Sequence, residues 1–356
     1  MKRMKNWHRL LFLGACLFFV LVLAGCGAGD EVVSQKEEEM QGANNNRPGK
    51  LRVVASFYPV YDFATQVGGE DADVEVLIPQ GVEPHDWEPD PSALKKIKEA
   101  DLFIYNGAGF EPWVEQILQA VGNDHLTVVN ASKDVPLMKG GHHHNHGHAP
   151  EAHADDGHEH ESHSHHEDAE NPQVAESEHG DALADPHIWL DPVHAQQMVK
   201  NILQGFQQAD PVHGEKYRQR AEAYLQELET LHQEYAQALG KLKRRTFITS
   251  HAAFGYLAAR YNLEQKPILG LSPEAEPTPE AMAELARFAQ EHQVKVIFFE
   301  SLVNPKVAEV LAKEVGAQTL PLNPIEGLTE EESKKGETYL SLMRKNLQHL
   351  LTALND

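Results

Sequence analysis

The chain has 356 residues, with 54 Asp and Glu against 31 Lys and Arg, and a formal net charge of −23. Such an acidic surface argues against nucleic acid as a partner and is compatible with cations. Two cysteines stand beside 22 histidines, so a disulfide framework is excluded before any element is placed.

Residues 1–25 read as an export signal. Lys2, Arg3, Lys5 and Arg9 form a positive start, and residues 10–23 are an apolar run too short for a comfortable membrane-spanning helix. The run closes on Leu23-Ala24-Gly25-Cys26, which resembles the cleavage box of bacterial lipoproteins and implies that Cys26 becomes the lipidated first residue of the mature chain. Cys16 then leaves with the signal, so any metal must be held through nitrogen and oxygen. Removal of the signal takes four positive charges and no negative ones, moving the formal charge from −23 to −27. Residues 26–50 are polar and poor in aromatics, the composition of a flexible tether.

From residue 51 short apolar strands alternate with helical segments, the pattern of a parallel α/β sheet. LRVVASF (51–57), VEVLIP (74–79), LFIYNG (102–107) and TVVNAS (127–132) are the expected strands, with helices beginning near Pro59, Ser92 and Pro112. A low-complexity insert follows at about 139–184. After Pro211, residues 215–242 repeat apolar positions at close to the helical period and predict one helix about 40 Å long at 1.5 Å per residue.

The alternation then resumes, with strands expected at RTFITSH (245–251), KPILGL (266–271), VKVIFFE (294–300) and QTLPLN (318–323). Pro277 or Thr278 opens a helix between the second and third of these, Gly316 closes the next one, and residues 331–354 predict a terminal amphipathic helix. The expected architecture is α/β, with two lobes that each carry a four-stranded parallel sheet flanked by helices and are joined by one long helix. The lobes are assigned to 51–200, including the insert, and 244–356, with the linking helical region at 201–243.

Ligands of open parallel sheets bind beyond the carboxyl ends of the strands. Four metal-capable side chains fall there: His85 in VEPHDWEP, His187 in DPHIWLDP, His251 at the end of TFITSH, and Glu326 in NPIEG. Two come from each lobe, so a site made of them lies in the cleft between the lobes. Three imidazoles and a carboxylate suit four-coordinate zinc, although spacing alone makes this a weak signal. Glu300, also at a strand end, competes with Glu326, either as a ligand or as a carboxylate that orients one. His194 is placed to support another ligand, while His125, His213, His232, His292 and His349 are single histidines on turns or helix surfaces and read as solvated.

The insert presents a second kind of site. His142, His143, His144, His146, His148, His153, His158, His160, His163, His165, His166 and His179 lie among Asp, Glu, Gly and Ser, where no packed core forms. Such a segment holds borderline metals such as zinc loosely, because ordering it costs entropy. A solvated spacer is the plain alternative.

VVASFYPVYDFATQVGG, VEPHDWEPDP, FIYNGAGFEPWV, the histidine-rich loop, DPHIWLDP, TSHAAFGYLAARY, LGLSPEAEPTP, VKVIFFESLVNPKVAEVLAKEVG and LNPIEGLTEE, in this order, resemble the zinc-binding lipoproteins of bacterial ABC transporters. These are metal-specific solute-binding receptors, a group that also has manganese and iron members, and the likeness covers the chain from the lipobox to the last helix. It implies a rigid linking helix and Zn²⁺ held by His85, His187, His251 and Glu326. It favours zinc over manganese, because His251 stands where manganese-type members resemble one another in having a carboxylate. The Glu326 position varies within the family, where some members use water, and Glu300 falls on a position that is not usually a ligand.

The resemblance further implies an extracytoplasmic, lipid-anchored monomer that passes its metal to an ABC permease and its ATPase, with no enzymatic activity. Zinc affinity is expected to fall below about pH 6.5, the ordinary imidazole range. Modest lobe movement and release through the Glu326 loop complete this expectation. A zinc hydrolase and a surface adhesin are the rival classes; the first needs an open coordination position, and the second would show in normal growth of a deletion strain on chelated medium.

Overall fold

The computed structural model describes residues 49–139 and 184–355. Residues 1–48, where the leader and Cys26 are expected, residues 140–183, with the twelve clustered histidines, and residue 356 lie outside them.

The first lobe runs β1 (Leu51–Ala55), α1 (Tyr58–Gly68), β2 (Ala72–Val76), α2 (Pro91–Glu99), β3 (Leu102–Tyr105), α3 (Val114–Val121) and β4 (Thr127–Asn130). Its strands are all parallel in the order β2-β1-β3-β4. Two helices follow, α4 (Pro192–Ala209) and α5 (Gly214–Leu239). The second lobe repeats the plan: β5 (Thr246–Thr249), α6 (Gly255–Arg260), β6 (Glu264–Pro267), α7 (Pro279–Glu291), β7 (Val296–Phe299), α8 (Lys306–Val315) and β8 (Gln318–Pro321), in the order β6-β5-β7-β8, again parallel. Two helices close the described chain, α9 (Glu330–Lys334) and α10 (Tyr339–Leu354).

Repeated Xaa-Pro pairs set the helix starts. Asp90 before Pro91, Asp191 before Pro192 and Thr278 before Pro279 each accept a backbone N–H of the first turn, from Ala93, Val193 and Ala281, while the proline fills a position whose N–H is unpaired anyway. Thr278 therefore opens α7, the second of the two starts the sequence allowed. The strands stop two or more residues short of their apolar runs in most cases, because the last residues bend out of the sheet as loops. β6 differs more. It begins at Glu264 and ends at Pro267, so most of the expected KPILGL strand lies outside the sheet: as an edge strand, β6 is defined by where β5 pairs with it.

The terminal segment is two helices rather than one. Gly336, at φ 68°, ends the first in a left-handed conformation. Thr338 then opens α10, its side chain accepting from Ser341 N–H. The N–H of Tyr339 at the start of α10 donates to Asp62 on α1 at 3.2 Å, where the Tyr58 and Tyr224 hydroxyls also donate. That buried carboxylate ties α1, α5 and α10 together.

One apolar core runs through both lobes. Phe57, Phe63, Trp189, Phe206, Tyr235, Phe254 and Tyr339 are all fully buried within it. Smaller clusters fill the outer faces of the two sheets, around Phe103 and Ile97 in one and Ile248 and Ile297 in the other. A continuous core of this kind resists independent motion of its halves, since interiors are packed at crystal density.

Candidate metal centre

Each ligand candidate sits on a loop whose shape is fixed by local hydrogen bonds. His187 follows Asp185-Pro186, and the Asp185 carboxylate accepts its own neighbour's backbone, His187 N–H at 3.0 Å, as well as the His187 ring Nδ1 at 2.8 Å. His251 lies two residues after the end of β5. Glu300, directly after β7, accepts His251 N–H at 3.0 Å and the ring Nδ1 at 2.6 Å. His85 occupies the loop after β2, with its N–H on Glu83 at 3.2 Å and its ring edge-on to Phe110 at 5.1 Å. Glu326 follows Ile325, a β-branched residue held at φ 60°, a strained conformation sustained by the surrounding loop. Asn323 accepts the Ile325 N–H at 2.7 Å and is itself clamped by Asn346 of α10.

These four loops aim their ends at one point. His187 Nε2 is 3.3 Å from both His85 Nε2 and His251 Nε2. Glu326 Oε1 is 3.4, 3.3 and 3.4 Å from Nε2 of His85, His187 and His251, and all four ligand atoms lie within 4.8 Å of one another. Five of the six separations are 3.3–3.4 Å, and a tetrahedron with edges of that length has its centre about 2.0–2.1 Å from each corner, the length of Zn–N and Zn–O bonds. Glu326 Oε1 is buried without a hydrogen-bond partner. Its contacts to the imidazoles are longer than good N–H···O bonds and are the right size for neighbours sharing one ion.

The outer bonds prepare the inner atoms. With Nδ1 facing a carboxylate, His187 and His251 carry their hydrogen on Nδ1 and present the Nε2 lone pair inward. His187 and His251 are fully buried and Glu326 is 2 % exposed; the His85 side chain is 11 % exposed, which leaves it as the accessible wall. Burial works against charge on both inner imidazoles, but Asp185 and Glu326 hold His187 above its ordinary range, and Glu300 with Glu326 holds His251 well above it. Burial likewise penalises the Glu326 carboxylate, yet the three imidazoles outweigh it and keep the group well below the usual carboxylate range. Burial, then the charge of Glu326, pushes Glu83 up to about 8. Three lone pairs and a carboxylate oxygen at such distances repel unless a cation or protons lie between them.

Glu300, the rival carboxylate, is turned to the back of His251 and away from the convergence point. His194 is also outside it: its ring lies against Tyr256 at 5.2 Å and its Nδ1 is 3.5 Å from Asp191 Oδ2, too long for a hydrogen bond. His213 bonds Asp210, His232 meets Tyr261, His349 faces the Pro321 carbonyl and His292 its own helix. None of them joins the cluster. Asp185 and Glu83 are two further carboxylates that the site draws on. The Asp-Pro pair is a usable sequence signal for the first, since an aspartate side chain commonly bonds the backbone two residues on; Glu83 carries none.

A family model described as zinc-uptake complex component A, periplasmic, matches residues 53–353. The chain is 40 % identical to the high-affinity zinc uptake system protein ZnuA of Bacillus subtilis, over 98 % of both chains. It is 39 % identical to the zinc-binding lipoprotein AdcA of Streptococcus pneumoniae over 85 % of this chain, but spans only about half, 55 %, of that longer relative. The Zn(II)-bound ZnuA-like domain of the same AdcA superposes with a TM-score of 0.69 at 35 % identity, covering 86 % of this chain and all of the domain. The laminin-binding protein Lmb of Streptococcus agalactiae, described as bifunctional with adhesin and metal-transporting activity, aligns at 33 % identity with a TM-score of 0.69, covering 85 % of this chain and 99 % of its own. With a family match over most of its length and the same two-lobe fold in these relatives, the chain belongs to the zinc-uptake complex component A family of solute-binding receptors.

Proposed function

We propose that the protein is an extracytoplasmic receptor that captures Zn²⁺ between its lobes and delivers it to an ABC permease powered by its ATPase. His85, His187, His251 and Glu326 bind the ion, and Cys26 anchors the chain to the membrane through lipid. The observation that carries this reading is the convergence of three Nε2 atoms and Glu326 Oε1 on one point, with five of their six separations at 3.3–3.4 Å. Capture replaces protons by metal: the imidazoles must be neutral to bind, and Asp185 and Glu300 steady them as they take the ion's charge.

Four protein ligands fill a tetrahedron, which leaves no open position for the activated water a hydrolase needs. This supports a receptor rather than an enzyme. Zinc over manganese follows from the three imidazoles, since oxygen-rich sets suit manganese. Titration of zinc against a competing chelator tests the ligand set. Glu326→Ala and His187→Ala are expected to weaken binding, and unchanged affinity in both would remove the cleft from the reading.

A further inference from the structure

The segment that carries His187 is gripped at both ends by one helix of the opposite lobe. At its first residue, the Tyr256 hydroxyl donates to the Asp185 carbonyl at 2.7 Å and accepts the Met138 N–H at 2.8 Å. At its other end, Arg260 Nε and Nη2 reach the Asp191 carboxylate at 2.8 and 2.6 Å. Tyr256 and Arg260 are four residues apart on α6 and so share one face. The same helix begins four residues after His251. α6 therefore touches the setting of two of the four candidate ligands.

The contact at Asp185 is close and specific. Tyr256 is 2 % exposed, and burial pushes its phenol up to about 12, so the hydroxyl remains a donor. A Cβ on Gly255, its neighbour, would lie 2.8 Å from Asp185 Oδ2; only glycine lets α6 approach the carboxylate that orients His187. Tyr256 also closes the base of the histidine-rich insert: Asp185 N–H donates to the Met138 carbonyl at 2.9 Å, and Lys139 and Ala184 form an antiparallel bridge beside it. One phenol thus joins three things: the C-terminal lobe, both ends of the insert, and the backbone of the residue that fixes the His187 ring.

We propose that Tyr256 is a positioning residue for metal capture: with Arg260 it makes α6 a two-point clamp that sets His187 through Asp185, so that the second lobe controls a ligand contributed by the first. The clamp touches no metal. It acts on the direction of the His187 Nε2 lone pair, and moving α6 disturbs His187 and His251 together. This rests on the metal-site reading above, and the experiment separates the two.

The test is zinc affinity by chelator competition, and the visible absorption of the Co²⁺-loaded protein, for the full chain and its Tyr256→Phe, Asp185→Asn, double and His187→Ala variants. Asp185→Asn, which alters the direct partner of His187 Nδ1, is expected to bind zinc about 10–100-fold more weakly, and Tyr256→Phe, one bond further out, to weaken it in the same direction by a smaller factor. Its cobalt spectrum should change, and its effect should be less than additive with that of Asp185→Asn, because both act through one ring. Wild-type affinity and spectrum in Tyr256→Phe, or full additivity, would overturn the clamp while leaving the site intact. Wild-type affinity in His187→Ala would instead overturn the site. A purely structural tyrosine would lower the metal-free melting temperature without moving the cobalt spectrum. Should Tyr256→Phe not fold, Gly255→Ala tests the approach of α6 to Asp185 at its carboxylate instead of its carbonyl and is expected to weaken zinc binding in the same direction; unchanged binding there overturns the clamp.

Discussion

Glu300→Gln isolates the carboxylate behind His251. The wild-type group makes two bonds to that residue, Oε1 to the backbone N–H at 3.0 Å and Oε2 to ring Nδ1 at 2.6 Å. A glutamine of the same shape keeps one acceptor. If its oxygen stays on the backbone, its NH₂ faces Nδ1 and cannot accept from it, so the imidazole is driven toward the tautomer with hydrogen on Nε2, the atom that must be bare to bind metal. A hydrogen bond to a charged group contributes about 1.5–3 kcal/mol; at about 1.4 kcal/mol per decade that is roughly a 10–100-fold loss of affinity. Chelator competition at fixed pH reads this directly, with metal content after dialysis as the stoichiometry control. The expected result is a weaker site that still holds one zinc. Wild-type affinity would refute the orienting role, and complete loss of the metal, with Glu326→Ala binding normally, would make Glu300 the ligand.

The pH dependence follows from the same pairings. His187 and His251 sit above the ordinary imidazole range in the metal-free protein, so protons compete with zinc over a higher window than the about 6.5 expected from an unperturbed imidazole. Affinity should climb with rising pH through and beyond neutrality as those protons leave, and a flat response above pH 6.5 in titrations between pH 5.5 and 8.5 would contradict the pairings. Trp189→Ala removes a fully buried indole that packs on Phe57 and Phe110 and donates to the Pro324 carbonyl at 2.7 Å. The expected destabilisation is about 3–5 kcal/mol by urea unfolding of the metal-free protein, and a loss under about 1 kcal/mol would mean this bridge between the lobes is not part of the core's cohesion. Deleting residues 141–180 should leave one tight zinc and lower the total metal bound at saturation; loss of the tight zinc would end the distinction between cleft and insert.

Much of the architecture could be read in advance because it is written in short-range patterns. Eight strands, the long α5 and the proline-led helix starts each depend on residues within a few positions of one another. Two elements depart from this pattern, and each is held by a partner outside its own stretch. The terminal segment divides at Gly336, and Tyr339 at the start of α10 is bound by Asp62, 277 positions away in the chain. β6 is a strand despite its polar EQKP sequence because β5 lies beside it.

The site divides in the same way. Sequence by itself named His85, His187, His251 and Glu326, since residues just past strand ends in a parallel sheet must meet at one edge, and the family resemblance selected these from other polar candidates. It also framed His187 by two Asp-Pro pairs only a few residues distant. The directions in which Glu300 and Glu326 point belong to the tertiary structure. Both follow strands, and only the pairing of β7 with β5 turns Glu300 onto the back of His251 while the strained Ile325 turns Glu326 inward. The clamp from α6 lay equally beyond the sequence, because Tyr256 and Asp185 are 71 residues apart. Local patterns set which groups reach the cleft; the direction in which each one points is set by packing between distant segments, which no short stretch of chain encodes.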